Sequence, residues 1–297
     1  MFGFKMIDYT PIINQIIYNG YQIGILRLDL IHPEISGNKW FKLKYNIEQA
    51  KKENCHTIIT FGGAFSNHIA ATAVAAKLAG FKSIGIIRGE ETSANNPTLS
   101  FAKENGMELL FVSRTEYSQK NDIGYLQRLR YMYPGTYIIP EGGDNKLGQK
   151  GCEEILTPEM FAYKHIFCAH GTGTTYKGIS KSLLPHQKLN VANVLNFEAT
   201  ANEPRTVILN DYHFGGYAKH TKELLDFKTW FENTYSIPLD YVYTAKLFYA
   251  AFDLMKQEKL EKNQAVLIIH CGGLQGNKGY EERYNLKPNR QVNDAQG

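Results

Sequence analysis

The chain has 297 residues, of which 43% are hydrophobic and 21% charged, and its formal net charge is +4 at neutral pH. That length leads to an expectation of two α/β domains, and the composition contains no tract biased enough for disorder. Lysine and arginine are interleaved with aspartate and glutamate and form no basic stripe, so no nucleic-acid partner is expected.

Four cysteines, Cys55, Cys152, Cys168 and Cys271, stand far apart without metal-ligand spacing. Neither a metal site nor a disulfide framework is expected, and the cytoplasm is the natural compartment. Lys5, Asp8, Arg27 and Asp29 occupy the region where a secretion signal needs an unbroken apolar block. The uncharged stretch 54–76 is long enough to span a bilayer, but Gly62, Gly63, Ser66, Asn67 and His68 interrupt it. It reads as strand, turn and helix, with no membrane expected.

In chain order, a glycine turn at Gly37 delivers Lys39 and Lys42 to the start of a helix, on one face. From residue 57 short β-rich runs alternate with longer helical ones, the pattern of parallel sheets covered by helices. Strands at 57–61, 83–87, 108–112 and 136–140, with helices near 66–79, 96–105 and 115–132, predict one open sheet. Strands at 165–169, 189–195, 206–209 and 266–270, with helices near 148–157, 174–184, 219–234 and 243–258, predict a second. The expected division is a small α/β domain over 42–139 and a large one formed by 1–41 together with 140–297.

Four turns concentrate chemistry, and each has a plain alternative. Lys39 and Lys42, taken alone, are surface charges at a helix start. Ser66 and Asn67, between a strand and an alanine-rich helix, either cap that helix or present a hydroxyl and an amide to a ligand. Residues 171–175, Gly-Thr-Gly-Thr-Thr, also follow a strand and open a helix, where backbone N–H groups and hydroxyls can surround a phosphate. They complete neither a P-loop nor a dinucleotide fingerprint, so nucleotide binding is the weaker reading. Tyr243 and Thr244 open another helix and, alone, are packing residues. A last glycine turn, 272–273, follows the final strand.

Taken in order, segments 37–39, 62–68, 140–144, 150–154, 171–175, 242–246 and 272–273 resemble the family of D-cysteine desulfhydrases and 1-aminocyclopropane-1-carboxylate (ACC) deaminases over roughly residues 10–280. The resemblance implies the tryptophan-synthase-β-like fold type II. This class has two open twisted-sheet α/β domains with pyridoxal 5′-phosphate in the cleft between them. It implies Lys39 as the Schiff-base lysine, and Lys42 with Gly171, Thr172, Gly173, Thr174 and Thr175 around the phosphate. Asn67 is implied to bond the cofactor's phenolic oxygen. Ser66, Asn67 and His68 are implied to hold the substrate, Ser66 over its carboxylate. Tyr243 and, less closely matched, Tyr217 are implied to face the bound amino acid. Lys39, Tyr243 and Ser66 form the implied catalytic set.

Thr244 is implied to face the ring nitrogen, where ACC deaminases carry glutamate and desulfhydrases threonine. A neutral partner weakens the electron sink and favours elimination. Phe41, Lys44 and Ala245 depart from the usual pattern of the family. The expected reaction is β-elimination of D-cysteine to pyruvate, ammonia and hydrogen sulfide, by a homodimer acting on a small amino acid. ACC deamination and a cofactor-binding protein without turnover are the alternatives.

Overall fold

The computed structural model describes residues 7–89 and 96–287, so Lys5 lies outside the described residues. Its strands are β1 (Ile13–Tyr18), β2 (Tyr21–Arg27), β3 (Thr57–Gly63), β4 (Lys82–Arg88), β5 (Met107–Val112), β6 (Thr136–Ile139), β7 (His165–His170), β8 (Lys188–Asn193), β9 (Thr206–Leu209) and β10 (Val266–His270). Its helices are α1 (Asn38–Lys52), α2 (Asn67–Ala79), α3 (Pro97–Glu104), α4 (Arg114–Ser118), α5 (Ile123–Met132), α6 (Lys146–Cys152), α7 (Thr174–Lys181), α8 (Lys222–Tyr235), α9 (Thr244–Lys256) and α10 (Asn277–Tyr284). None of the described helices is long and apolar enough to cross a membrane.

Two sheets form, in the orders β5-β4-β3-β6 and β1-β2-β10-β7-β8-β9. All pairings are parallel except that of β1 with β2. The parallel strands are covered on both faces, which explains why β3, β7 and β10 read as nearly continuous buried runs and do not alternate.

The β1–β2 hairpin and α10 were not among the expected elements. Asn19 and Gly20 close the hairpin with φ of +48° and +81°, the paired left-handed values that suit the twist of a two-residue loop. The single helix expected over 115–132 is two. Asp122 accepts a hydrogen bond from the Tyr125 N–H at 2.9 Å and starts α5 afresh. The strand expected to reach 195 stops at Asn193, whose side chain bonds Leu195 N and Phe197 O and so turns the chain.

α1 runs unbroken through the expected boundary at residue 42 and is a wedge between the two cores. Trp40, Leu43 and Ile47 are buried with Ile58, Val74 and Ile139 of the smaller sheet's layer. Phe41 instead packs with Cys152, Ile166 and Cys271 under the larger sheet. The large core is further tied by Arg27 and Asp29, paired at 2.6 Å, and by His270 Nδ1 at 3.1 Å from Asp29. Burial works to raise the Asp29 carboxyl, but His270 and Arg27 outweigh it and hold it well below the usual range.

α1 meets α6 at closest range where Gly151 passes the Phe41 carbonyl: a methyl group on Gly151 would lie 1.7 Å from that oxygen. Backbone cannot yield there as a flexible side chain can. Gly151→Ala is expected to lower stability by about 3 kcal/mol, by forcing α1 and α6 apart. Chemical denaturation measures it, and a loss within about 0.5 kcal/mol of zero would show that the helix pair is not tightly set.

Candidate active site

The carboxyl ends of β3, β4, β6, β7 and β10 converge on one cleft of about 580 Å³ between the sheets. Open α/β sheets bind ligands at such strand ends, because the turns there expose backbone N–H groups and helix starts. Lys39, Lys42, Ser66, Asn67, His68, Gly171, Thr172, Gly173, Thr175, Tyr217 and Tyr243 all line this cleft.

Lys39 reaches it through one sharp turn. Gly37 has φ +71° and ψ −154°, and a methyl group there would lie 1.9 Å from the Cys271 carbonyl oxygen. Only glycine allows both the backbone conformation and the contact. The Lys39 ammonium donates to Asn38 Oδ1 at 2.6 Å, and Asn38 Nδ2 donates to Thr175 Oγ1 at 2.7 Å, so a short relay links the amine to the 171–175 turn. Burial, then the neighbouring Lys42 charge, lowers Lys39 from 10.5 to about 8. Burial also lowers Lys42.

Ser66 both caps and lines: its Oγ accepts from Ile69 N at 3.3 Å, and the residue forms part of the cleft wall. Asn67 Oδ1 accepts from Gln275 Nε2 across the cleft. Thr60 Oγ1 donates to the Ile139 carbonyl, so its oxygen receives a proton from His68 Nε2 at 2.9 Å. That fixes His68 Nδ1 as a lone pair, which is buried and has no hydrogen-bond partner among the described residues. Burial, Lys42 and Lys39 together hold His68 neutral, well below the usual imidazole range.

In the 171–175 turn, Gly173 has φ +91° and leads into α7. Thr172 and Thr175 face the cleft, whereas the Thr174 hydroxyl donates to Asp144 Oδ1 at 2.8 Å and stands behind the wall. Tyr243 and Tyr217 meet edge to face with ring centroids 6.1 Å apart. Burial pushes the Tyr243 phenol well above its usual range.

Thr244 is placed differently from Tyr243. Its hydroxyl accepts from Asp240 N at 2.6 Å and donates to Asp240 O at 3.3 Å, and the residue is buried and does not line the cleft. Asp240, Cys271, Arg88 and Glu141 are among the further residues that line the cleft. Asp240 accepts from the N–H groups of Val242, Tyr243 and Thr244 at 2.7–2.9 Å and so aims Tyr243. Cys271, Arg88 and Glu141 stand at or just beyond the carboxyl ends of strands, a position that was legible once the strands were placed.

No protein-family model matches the chain. It is 30% identical to a protein of Pyrococcus abyssi provisionally named an ACC deaminase, over 93% of this chain and 91% of that protein. It is also 30% identical to the mitochondrial bifunctional D-cysteine desulfhydrase/ACC deaminase of Arabidopsis thaliana, over 87% of this chain and 74% of that protein. The crystal structure of an ACC deaminase homologue superposes with a TM-score of 0.81 at 26% identity, covering 94% of each chain. The O-acetylserine-dependent cystathionine β-synthase of Helicobacter pylori shares the fold at 17% identity, with a TM-score of 0.65 over 90% of this chain and 93% of that one. The architecture is thus that of the fold type II class of pyridoxal-phosphate enzymes. The chain belongs to the family of ACC deaminases and D-cysteine desulfhydrases, enzymes that depend on that cofactor.

The residues present fit such a group. A half-buried amine of lowered basicity lines the cleft, a glycine-rich turn opens α7, and His68 Nδ1 is a buried acceptor with no partner among the described residues. Competitive acetylation of the apoprotein is expected to titrate Lys39 with a midpoint of about 8. Lys42→Met removes a like charge and moves that midpoint upward. A midpoint at the ordinary 10.5 in the wild type would show that the amine is solvated.

Proposed function

We propose that the protein is a pyridoxal-phosphate-dependent lyase whose reaction is β-elimination from D-cysteine, giving with water pyruvate, ammonia and hydrogen sulfide. The observation that carries this reading is the Lys39 amine, half-buried in a cleft whose walls also carry a tyrosine pair and a glycine-threonine turn. Lys39 would hold the cofactor covalently, with Lys42, the Thr172 and Thr175 hydroxyls and the backbone of the 171–175 turn at its phosphate and Asn67 beside its ring. When bound, the cofactor withdraws electrons from the substrate Cα and acidifies that carbon.

The protein's own groups do the rest. Ser66, Asn67 and His68 stand at the start of α2, where the helix dipole favours the substrate carboxylate. Lys39, lowered toward neutrality, is partly free amine at pH 7–8 and takes the Cα proton. Tyr243 keeps its phenolic proton because burial disfavours the phenolate, so its O–H can donate a hydrogen bond to the departing sulfur. Tyr217 touches the Tyr243 ring edge to face and orients it.

ACC ring opening is the second reading, favoured by the name of the Pyrococcus abyssi relative. Elimination ranks first because position 244, where the family's ACC deaminases carry glutamate, is a threonine already bonded to Asp240. A cofactor-binding protein without turnover is the third. The same reading includes a homodimer, and a cytoplasmic setting that four free thiols support.

Borohydride reduction followed by peptide mapping is expected to place the pyridoxyl group on Lys39, and a label on Lys42 would overturn that role. Paired assays should give pyruvate from D-cysteine with a kcat/KM exceeding that of 2-oxobutyrate formation from ACC. Lys39→Ala should lower kcat roughly 10³-fold and Tyr243→Phe about 10²-fold. Efficient ACC turnover with none of D-cysteine would reject the substrate while leaving the cofactor chemistry intact.

A further inference from the structure

Lys246 is a buried cation to which none of the chemistry above gives a role. It lies on α9, three residues after Tyr243, and is wholly buried. Its ammonium donates to two backbone carbonyls, those of His213 at 2.7 Å and Gly216 at 2.6 Å. Both belong to the loop that carries Tyr217, the exposed partner of Tyr243 in the cleft.

That loop is held in an unusual shape. Phe214, Gly215, Gly216 and Ala218 have φ of +50°, +88°, +106° and +53°. Two of these are side-chain-bearing residues in the left-handed region, which persists only when surrounding contacts impose it. Gly216 presses on Asn196, where an added methyl group would lie 2.8 Å from the Asn196 Cβ. On the other side of Tyr217, Tyr284 and Tyr280 of α10 donate to the Ala218 carbonyl at 2.8 and 3.3 Å. The bonds on the two sides differ in kind. The tyrosines make neutral bonds to one residue, whereas Lys246 makes charge-assisted bonds to two carbonyls from the helix that also bears Tyr243.

We propose that Lys246 is a positioning residue: by clamping the His213 and Gly216 carbonyls to α9 it sets the Tyr217 ring against Tyr243. The proposal rests on the reading that Tyr243 serves the leaving group and Tyr217 orients its ring. Its consequence is that Tyr243, at the N-cap of α9, is set directly by that helix, and the ring that packs on it is set by the same helix through a buried ammonium. The two rings then keep their geometry as a unit when substrate enters.

The test is a double-mutant cycle on the cofactor-loaded enzyme with D-cysteine, using Lys246→Met, Tyr217→Ala and their combination. Lys246→Met is expected to lower kcat about tenfold while changing KM less than about threefold. In the Tyr217→Ala background, where no ring is left to position, the same change should cost less than about twofold. Lys246→Arg, which keeps the charge and the donors, should recover most of the loss. Equal losses in both backgrounds, or a loss confined to KM, would overturn the proposal. Backbone amide exchange provides an arm independent of turnover. Residues 214–218 should exchange about tenfold faster or more in Lys246→Met, while the amides of β10 remain protected. Unchanged protection of 214–218 would likewise overturn the clamp. A wild type inert to D-cysteine and ACC would reject the function proposed above, and the exchange result would still decide whether Lys246 holds the loop.

Discussion

The contact of Gly37 with the Cys271–Gly272 backbone is the constraint from which the site follows. Gly37 N donates to Leu28 O at 2.8 Å, and Asn38 N reaches Cys271 O at 3.3 Å. The first turn of α1 is thereby seated directly on the carboxyl end of β10. Everything that makes Lys39 special comes from this seat. The residue is carried into a space bounded by both sheets, loses most of its water, and stands close enough to Lys42 for each charge to disfavour the other. The same helix joins the two cores through Trp40 on one side and Phe41 on the other. Removing large side chains buried to this degree costs about 3–5 kcal/mol, so the position of the amine is coupled to the stability of both layers.

The cleft combines buried positive charge with acceptors that are already engaged. Asp240 faces it with a carboxylate that accepts three backbone N–H bonds, and Asp144 accepts from Thr174. Neither is hydrogen-bonded to Lys39, whose ammonium donates to the Asn38 amide oxygen, and burial outweighs the attraction of Asp240. An uncompensated ammonium in low dielectric lowers its own proton affinity, and that suits an amine that must react at neutral pH. Two thiols, Cys152 and Cys168, pack beneath the site as apolar filler and Cys271 lines it; burial is the first cause raising each of them.

Local patterning explains which parts were readable. The four strands of the small sheet and the strands at 165, 189, 206 and 266 announce themselves as β-branched runs followed by glycine turns. Each of those turns alone also reads as a helix cap or surface charge, and it was their order along the chain that made them candidate ligand contacts. The hairpin at Asn19 and Gly20 was missed because β1 is the edge strand of the larger sheet and carries a mixed, half-exposed pattern. The break between α4 and α5 was missed because one capping aspartate outweighs a continuous helical pattern.

The chain's own order of residues determined the alternation of strands and helices, the glycine that delivers Lys39, and the set of turns that supply donors. These are local properties, fixed by backbone conformation and by side chains a few positions apart. Which residues share the cleft was decided only by the tertiary structure. Thr244 and Tyr243 are neighbours in sequence, yet the start of α9 turns the phenol into the cleft and the hydroxyl back to Asp240. Arg88, Glu141, Asp240 and Cys271 come from four separate segments and meet there because parallel strands in both sheets end on the same side. The lowered basicity of Lys39 belongs to the same category, because desolvation is a property of the space around a group, and that space exists only once the sheets and α1 have packed.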